Sequence, residues 1–94
     1  MKIFLRTEYY DNTNKLSEGK ITEDGMKIGK WNYWYENGYL KKQEYYIKGI
    51  MYGKWICYYK TGTKKLEGFI EHSKKVGLWI KYDENGIAES QEYY

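Results

Sequence analysis

Between Gly29 and Tyr52 the chain alternates in the manner of a strand. Trp31, Tyr33 and Tyr35 fall at every second position with Asn32 and Trp34 between them, the period of two that sends successive side chains to opposite faces. The residue types favour pleated backbone. Glu36-Asn37-Gly38 follows and is expected to supply the positive φ angles of a tight hairpin turn. Residues 40–47 read as the returning strand, and Lys48-Gly49 turns the chain again.

This pattern recurs every 24 residues. Gly29, Gly53 and Gly77 share the interval with Trp31, Trp55 and Trp79 and with Gly38, Gly62 and Gly86, the mark of a repeat array. One step earlier, Thr7 falls at the Trp position and Asn14 at the second Gly position, while Tyr10, Trp34, Tyr58 and Tyr82 form an aromatic column. Phe4, Ile28, Tyr52 and Val76 are apolar throughout, as are Ile21, Tyr45, Phe69 and Tyr93. The reading is one repeat domain, 1–94, with a degenerate cap at about 1–28, full units at 29–52 and 53–76, and an incomplete unit at 77–94.

Each unit is a hairpin plus a connecting turn, with Asp24-Gly25 and His72-Ser73 at the places equivalent to Lys48-Gly49. The spacing leaves no room for helices. The expected fold is therefore all-β: an extended, twisted antiparallel meander of tandem 24-residue β-hairpin repeats, about eight strands, no helix. Trp31, Trp55 and Trp79 have opposite parity to Trp34, Tyr58 and Tyr82, so both faces of the sheet carry rings. The glycines ahead of the Trp column have two candidate jobs: to let an indole lie over bare backbone, or to bend the strand.

Composition sharpens this picture. Aromatic residues make up 20% of the chain, with 13 Tyr, 4 Trp and no Pro, while the mean hydropathy is −0.93; Tyr suits a surface that is both packed and wet. No apolar run approaches the roughly 20 residues of a membrane helix, and Ile3-Phe4-Leu5 is too short for a signal peptide, so a cytoplasmic location is expected. Charge is uneven: residues 25–82 hold twelve Lys against Glu36, Glu44, Glu67 and Glu71, a balance of +8, whereas 83–94 carries −4. Such a field would draw an anionic partner to the central units; equally, solvated lysines would keep an aromatic sheet soluble.

Candidates for chemistry are few. Cys57 and His72 are the one Cys and the one His, too few soft ligands for a structural zinc and no basis for a disulfide within the chain. A nucleophilic Cys needs a base within reach, and His72 is expected at a turn one strand away. The carboxylates form no repeated pair suited to acid–base work. The glycines precede no helix and make no phosphate-binding loop. Neither catalytic nor metal residues are assigned, and no cofactor is expected.

Gly-x-Trp, the aromatic strand pairs Trp34-Tyr35 and Tyr58-Tyr59, and the Glu-Asn-Gly turn together resemble the variant MORN repeat, whose proteins are often grouped as YwqK-type antitoxins. The likeness covers residues 29–94 well and 1–28 weakly. It implies stacked hairpins, no catalysis, and binding to other proteins. Units of that family usually carry Leu two residues after the turn Gly, kept at Leu16 and Leu40 but not at Lys64 and Ala88. They usually carry Gly six residues after it, kept at Gly68 but not at Lys20, Glu44 and Glu92.

The functional expectation is a non-enzymatic interaction module, an antitoxin, immunity or other inhibitor protein, that grips a protein partner with an acidic surface. Tyr and Trp make interface hot spots, and the residues singled out are Trp31, Tyr33, Tyr35, Trp55, Tyr59, Trp79 and Lys81. A homodimer through a sheet edge or the aromatic face is a further partner option. The alternative is small-ligand binding, since Gly-x-Trp also resembles choline-binding and glucan-binding repeats, or anionic lipid or nucleic acid held by the central lysines. Nucleic acid is disfavoured because Arg6 is the sole arginine.

Overall fold

The computed structural model describes residues 2–11 and 13–94. They form one antiparallel sheet of nine strands with no helix among the described residues: β1 (Ile3–Tyr9), β2 (Lys15–Thr22), β3 (Lys27–Trp34), β4 (Leu40–Ile47), β5 (Ile50–Met51), β6 (Gly53–Tyr58), β7 (Lys64–Glu71), β8 (Lys74–Tyr82) and β9 (Ala88–Tyr93). Spatial order follows the chain, β1-β2-β3-β4-β6-β7-β8-β9, and β5 is a two-residue strand paired with β4. The expected eight-strand meander is thus present, with β5 added.

The sheet is a single layer. It measures 42 × 33 × 12 Å and has a radius of gyration of 14.6 Å, against roughly 12.4 Å for a compact domain of this length. Only Trp31, Ile56, Ile70 and Trp79 form a buried apolar core among the described residues. Stability must therefore come from cross-strand ladders and from side chains lying flat on the sheet.

Two kinds of turn alternate. In the hairpin turns Tyr35 N–H donates to Tyr39 O at 2.9 Å and Gly38 N–H to Tyr35 O at 3.0 Å, a pattern repeated at Tyr59 and Asp83. Of the Glu-Asn-Gly triplet only the glycine is left-handed, with φ 92° at Gly38 and 86° at Gly86. Asn37 contributes through its side chain, whose Oδ1 accepts from Tyr39 N–H at 3.0 Å. The connecting turns are the tight two-residue kind expected of mirror-image hairpin loops, with both residues left-handed: Lys48 (48°) with Gly49 (82°), and His72 (49°) with Ser73 (64°).

The first connecting turn, Glu23-Asp24-Gly25, is one residue longer than the other two, and this corrects the register read for the first unit. Arg6 pairs with Gly19 as Trp31 pairs with Glu44, Trp55 with Gly68 and Trp79 with Glu92. Arg6, not Thr7, therefore stands in the Trp row, and Gly19, not Lys20, stands in the row of Glu44 and Gly68. Ile21 likewise falls with Tyr46, Ile70 and Tyr94 rather than with Tyr45 and Phe69.

The two jobs proposed for glycine fall to different residues. Gly29 and Gly77, ahead of the tryptophans, have φ of 69° and 67° and open space where a Cβ would be, so they bend the strand. Gly19 and Gly68 supply the bare backbone: a Cβ at either would fall 2.2 Å from the Trp31 or Trp79 ring.

Candidate functional site

Cross-strand pairs share a face, so the ladder assigns Lys27, Trp31, Tyr33, Glu44, Tyr46, Met51, Trp55, Leu66, Ile70, Trp79 and Lys81 to one side, called the front. The back carries Ile56, Glu67 and Ile80 in one cross-strand row and Lys54 with Phe69 in the next. There Lys64 and Lys54 approach Glu67 at 3.2 and 3.8 Å, and the Tyr82 hydroxyl donates to the same carboxylate.

On the front, each indole reaches back across the preceding hairpin. Trp31 Nε1 donates to Lys20 O at 3.0 Å and Trp79 Nε1 to Phe69 O at 3.1 Å, each ring flat on a glycine. Both are almost fully buried, at 2% and 3% exposure. Trp55 cannot do the same, because Glu44 occupies the place of that glycine. Its Nε1 donates instead to Glu44 Oε2 at 3.0 Å, and the ring is left half-buried. The β4–β6 ladder consists of Lys42–Cys57 and Gln43–Ile56 and ends at Glu44.

Glu44 is itself buried, at 4% exposure. Oε1 accepts from the Tyr46 hydroxyl at 2.8 Å, and Lys42 Nζ lies 3.5 Å from Oε2. Burial works against its charge, but the hydrogen bonds from Trp55 and Tyr46 and the Lys42 ammonium outweigh it and hold the carboxyl below the usual range. Burial, reinforced by the hydrogen bond to Glu44, pushes the Tyr46 phenol well above its ordinary value.

This carboxylate divides the aromatic face. On one side Trp31 and Tyr33 sit 6.3 Å apart, and the Lys27 ammonium lies over Trp31, Tyr33 and Tyr46 at 4.8, 5.4 and 5.3 Å. On the other, Trp55 and Trp79 are 5.7 Å apart, Trp79 meets Tyr94 edge-on at 6.4 Å, and Lys75 lies over Trp79 and Tyr94 at 4.9 and 5.1 Å. Beside the Trp55 and Trp79 rings runs an open groove of about 410 Å³, lined by both indoles with Glu44, Met51, Leu66, Ile70, Ser73 and Lys75. Lys81 is exposed and lines a neighbouring groove of about 270 Å³ with Trp79, Glu92 and Tyr94.

Of the residues singled out from sequence, Trp31 and Tyr33 are thus grouped, as are Trp55 and Trp79 with Lys81 close by. Tyr35 and Tyr59 stand apart at the hairpin-turn end. There the Tyr35 hydroxyl donates to Tyr58 O and the Tyr59 hydroxyl to Tyr82 O, each at 2.7 Å, and Tyr10 does the same to Trp34 O at 2.6 Å. Asn37 Nδ2 adds a bond to Lys60 O at 2.8 Å. These groups clamp each unit to the next. Glu44, Met51, Leu66, Ile70, Lys27 and Lys75 were not singled out; the one signal for them was the departure of Glu44 from the glycine kept at 68.

The central lysines are spread over the rings. Lys27, Lys41, Lys42, Lys60, Lys64, Lys65 and Lys75 each lie within 6 Å of a Tyr or Trp centroid, contacts worth about 0.5–1 kcal/mol each at exposed sites. Much of the basic surplus therefore shields rings. Cys57 is half-buried on the front, and burial raises its thiol above the ordinary value despite Lys65 and Lys42 nearby. His72 packs edge-on against Tyr52 at 5.3 Å. Among the described residues no three His, Cys, Asp or Glu side chains gather as a metal site, and no helix is long and apolar enough to cross a membrane. Compared with family models, curated proteins and solved structures, the chain matches none.

Proposed function

We propose that this chain is a non-enzymatic interaction module, of the antitoxin, immunity or inhibitor kind, that works in the cytoplasm by covering a functional surface of a partner protein with its front face. The observation that carries the reading is the half-buried Trp55 at the middle of a 42 × 33 Å single-layer sheet. A sheet of that outline exceeds the roughly 800 Å² that one partner contributes to a standard interface. Trp and Tyr anchors beside a groove are the usual source of binding energy in such interfaces. The +8 balance of residues 25–82 favours a partner with an acidic surface, so association should slow as salt is raised.

Co-expression with the product of the neighbouring reading frame tests this. The expected result is a complex, measured by calorimetry, that Trp55→Ala or Tyr33→Ala weakens at least about tenfold while the fold of the chain is retained. Turnover of any substrate by the isolated chain would overturn the reading. So would a complex indifferent to both substitutions.

A further inference from the structure

The repeat contains its own comparison for the groove over Trp55. Lys27, Met51 and Lys75 occupy one position in successive units, four residues before each tryptophan. In the outer two the ammonium lies over the indole, 4.8 Å from the Trp31 centroid and 4.9 Å from that of Trp79. In the middle unit methionine takes the place of that lysine. Two neighbours differ as well: Cys57 stands where the second unit has Tyr33 and the fourth Lys81, and Ile70 where those two units have Tyr46 and Tyr94. The tyrosine and the ammonium that lie beside both Trp31 and Trp79 are missing together beside Trp55, whose one ring neighbour is Trp79 at 5.7 Å, and the groove of about 410 Å³ lies there.

We propose that this groove is a binding site for an alkylammonium group, seated over the Trp55 indole as the Lys27 and Lys75 ammoniums are seated over Trp31 and Trp79. Charge agrees with shape. Each of the three tryptophans has a glutamate beside it, Glu44 for Trp31 and Trp55 and Glu92 for Trp79, so the middle site differs by the lysine lost at Met51; Lys42 lies 3.5 Å from the Glu44 carboxylate. Glu44 accepts from the indole N–H at 3.0 Å, which adds negative character to the ring and strengthens its attraction for a cation. Lys75 lines the same groove, but its ammonium is drawn onto Trp79 and Tyr94. The leucine and isoleucine walls at Leu66 and Ile70 suit the methyl or methylene groups that surround such a nitrogen. The inference does not depend on the partner-blocking role.

The test is a titration followed through the tryptophan indole N–H resonances, with choline, blocked lysine, blocked trimethyllysine, and the uncharged isostere 3,3-dimethylbutanol as probes. The expected result is a saturable shift of the Trp55 resonance, with a dissociation constant on the order of 1 mM, for the cations and not for the isostere. Tighter binding of the blocked lysines would identify a protein side chain as the natural occupant; tighter binding of choline would identify a free quaternary amine. Met51→Lys should supply the missing internal cation and abolish the shift, while Met51→Leu keeps it. Unchanged Trp31 and Trp34 resonances, from rings that do not line the groove, would show that both variants fold. An equal response to the isostere, no saturation by any cation, or full binding by Met51→Lys would each overturn the assignment.

Discussion

Gly68 lies so close beneath Trp79 that a Cβ added to it would sit 2.2 Å from the indole. Its backbone is not left-handed, so the demand for glycine is purely one of space. Gly68→Ala should force the ring off the strand and destabilise by roughly 1–3 kcal/mol, the range for overpacking. Gly19→Ala should do the same at Trp31, where the approach is equally close. Urea denaturation reads both, as a lower midpoint at unchanged slope. Wild-type stability in Gly68→Ala would mean that the indole does not rest on that strand.

The hydrogen bonds of Glu44 predict how stability responds to pH. Glu18, Glu44 and Glu67 all have folded pKa values below their ordinary 4.5. For Glu18 the main causes are hydrogen bonds from Thr7 and Lys15; for the other two, burial is opposed and outweighed by hydrogen bonds and lysines. A depressed folded pKa gives stability that is fully present above the unfolded value and lost as pH falls through the folded one. The melting temperature should therefore hold near neutrality and decline below about pH 4.5. Tyr46 has the opposite sign: burial and then Glu44 raise its pKa above 10.0, so its contribution fades as pH rises beyond that. Glu44→Gln should flatten the acid limb and Tyr46→Phe the alkaline one. Limbs unaltered by both would show that these groups do not ionise as described.

The Tyr35 hydroxyl bonded to Tyr58 O at 2.7 Å links one unit to the next, so its removal should be felt as stability. Tyr35→Phe keeps the ring and loses one part-buried hydrogen bond, an expected cost of about 0.5–1.5 kcal/mol. Tyr59→Phe should act in the same direction through Tyr82 O. Thermal or urea melts supply the check, with hydrogen exchange showing earlier opening at the turn end. A Phe variant as stable as the parent would return the hydroxyl to the surface available for a partner.

These particulars show what the amino-acid pattern could and could not reveal. Alternation and the 24-residue interval were enough for strands, turns and a meander, because each is a local property repeated until chance is excluded. The register of the first unit was not legible, since neither Arg6 nor Thr7 carries the tryptophan that marks the row, and one extra residue in Glu23-Asp24-Gly25 slides the frame. Glu44 was visible as a departure from glycine. Its effect was not, because the ring it displaces belongs to the following hairpin, and that contact follows only from knowing that each indole reaches backward. The role of the Tyr35 and Tyr59 hydroxyls was hidden for the same reason: their acceptors lie 23 residues onward in the next unit.

The equivalence of Ser73 with Gly49 yields a stabilising substitution. Both are the second residue of a two-residue turn, with φ of 64° and 82°, and their N–H groups make the same bond to the preceding unit: Gly49 to Lys27 O at 2.9 Å, Ser73 to Met51 O at 3.0 Å. A non-glycine residue in this conformation is disfavoured by about 1–2 kcal/mol, part of which glycine returns as chain entropy in the unfolded state. Ser73→Gly keeps the backbone bond and leaves His72 against Tyr52, so a net gain of about 0.5–1 kcal/mol is expected. For a domain of this size that corresponds to roughly 2–8 °C in melting temperature. Gly49→Ser, the reverse change at the equivalent turn, should lower it by a similar amount. Calorimetric scans of the two variants decide the matter: shifts of the same sign, or none in either, would show that left-handed strain at these turns does not limit stability.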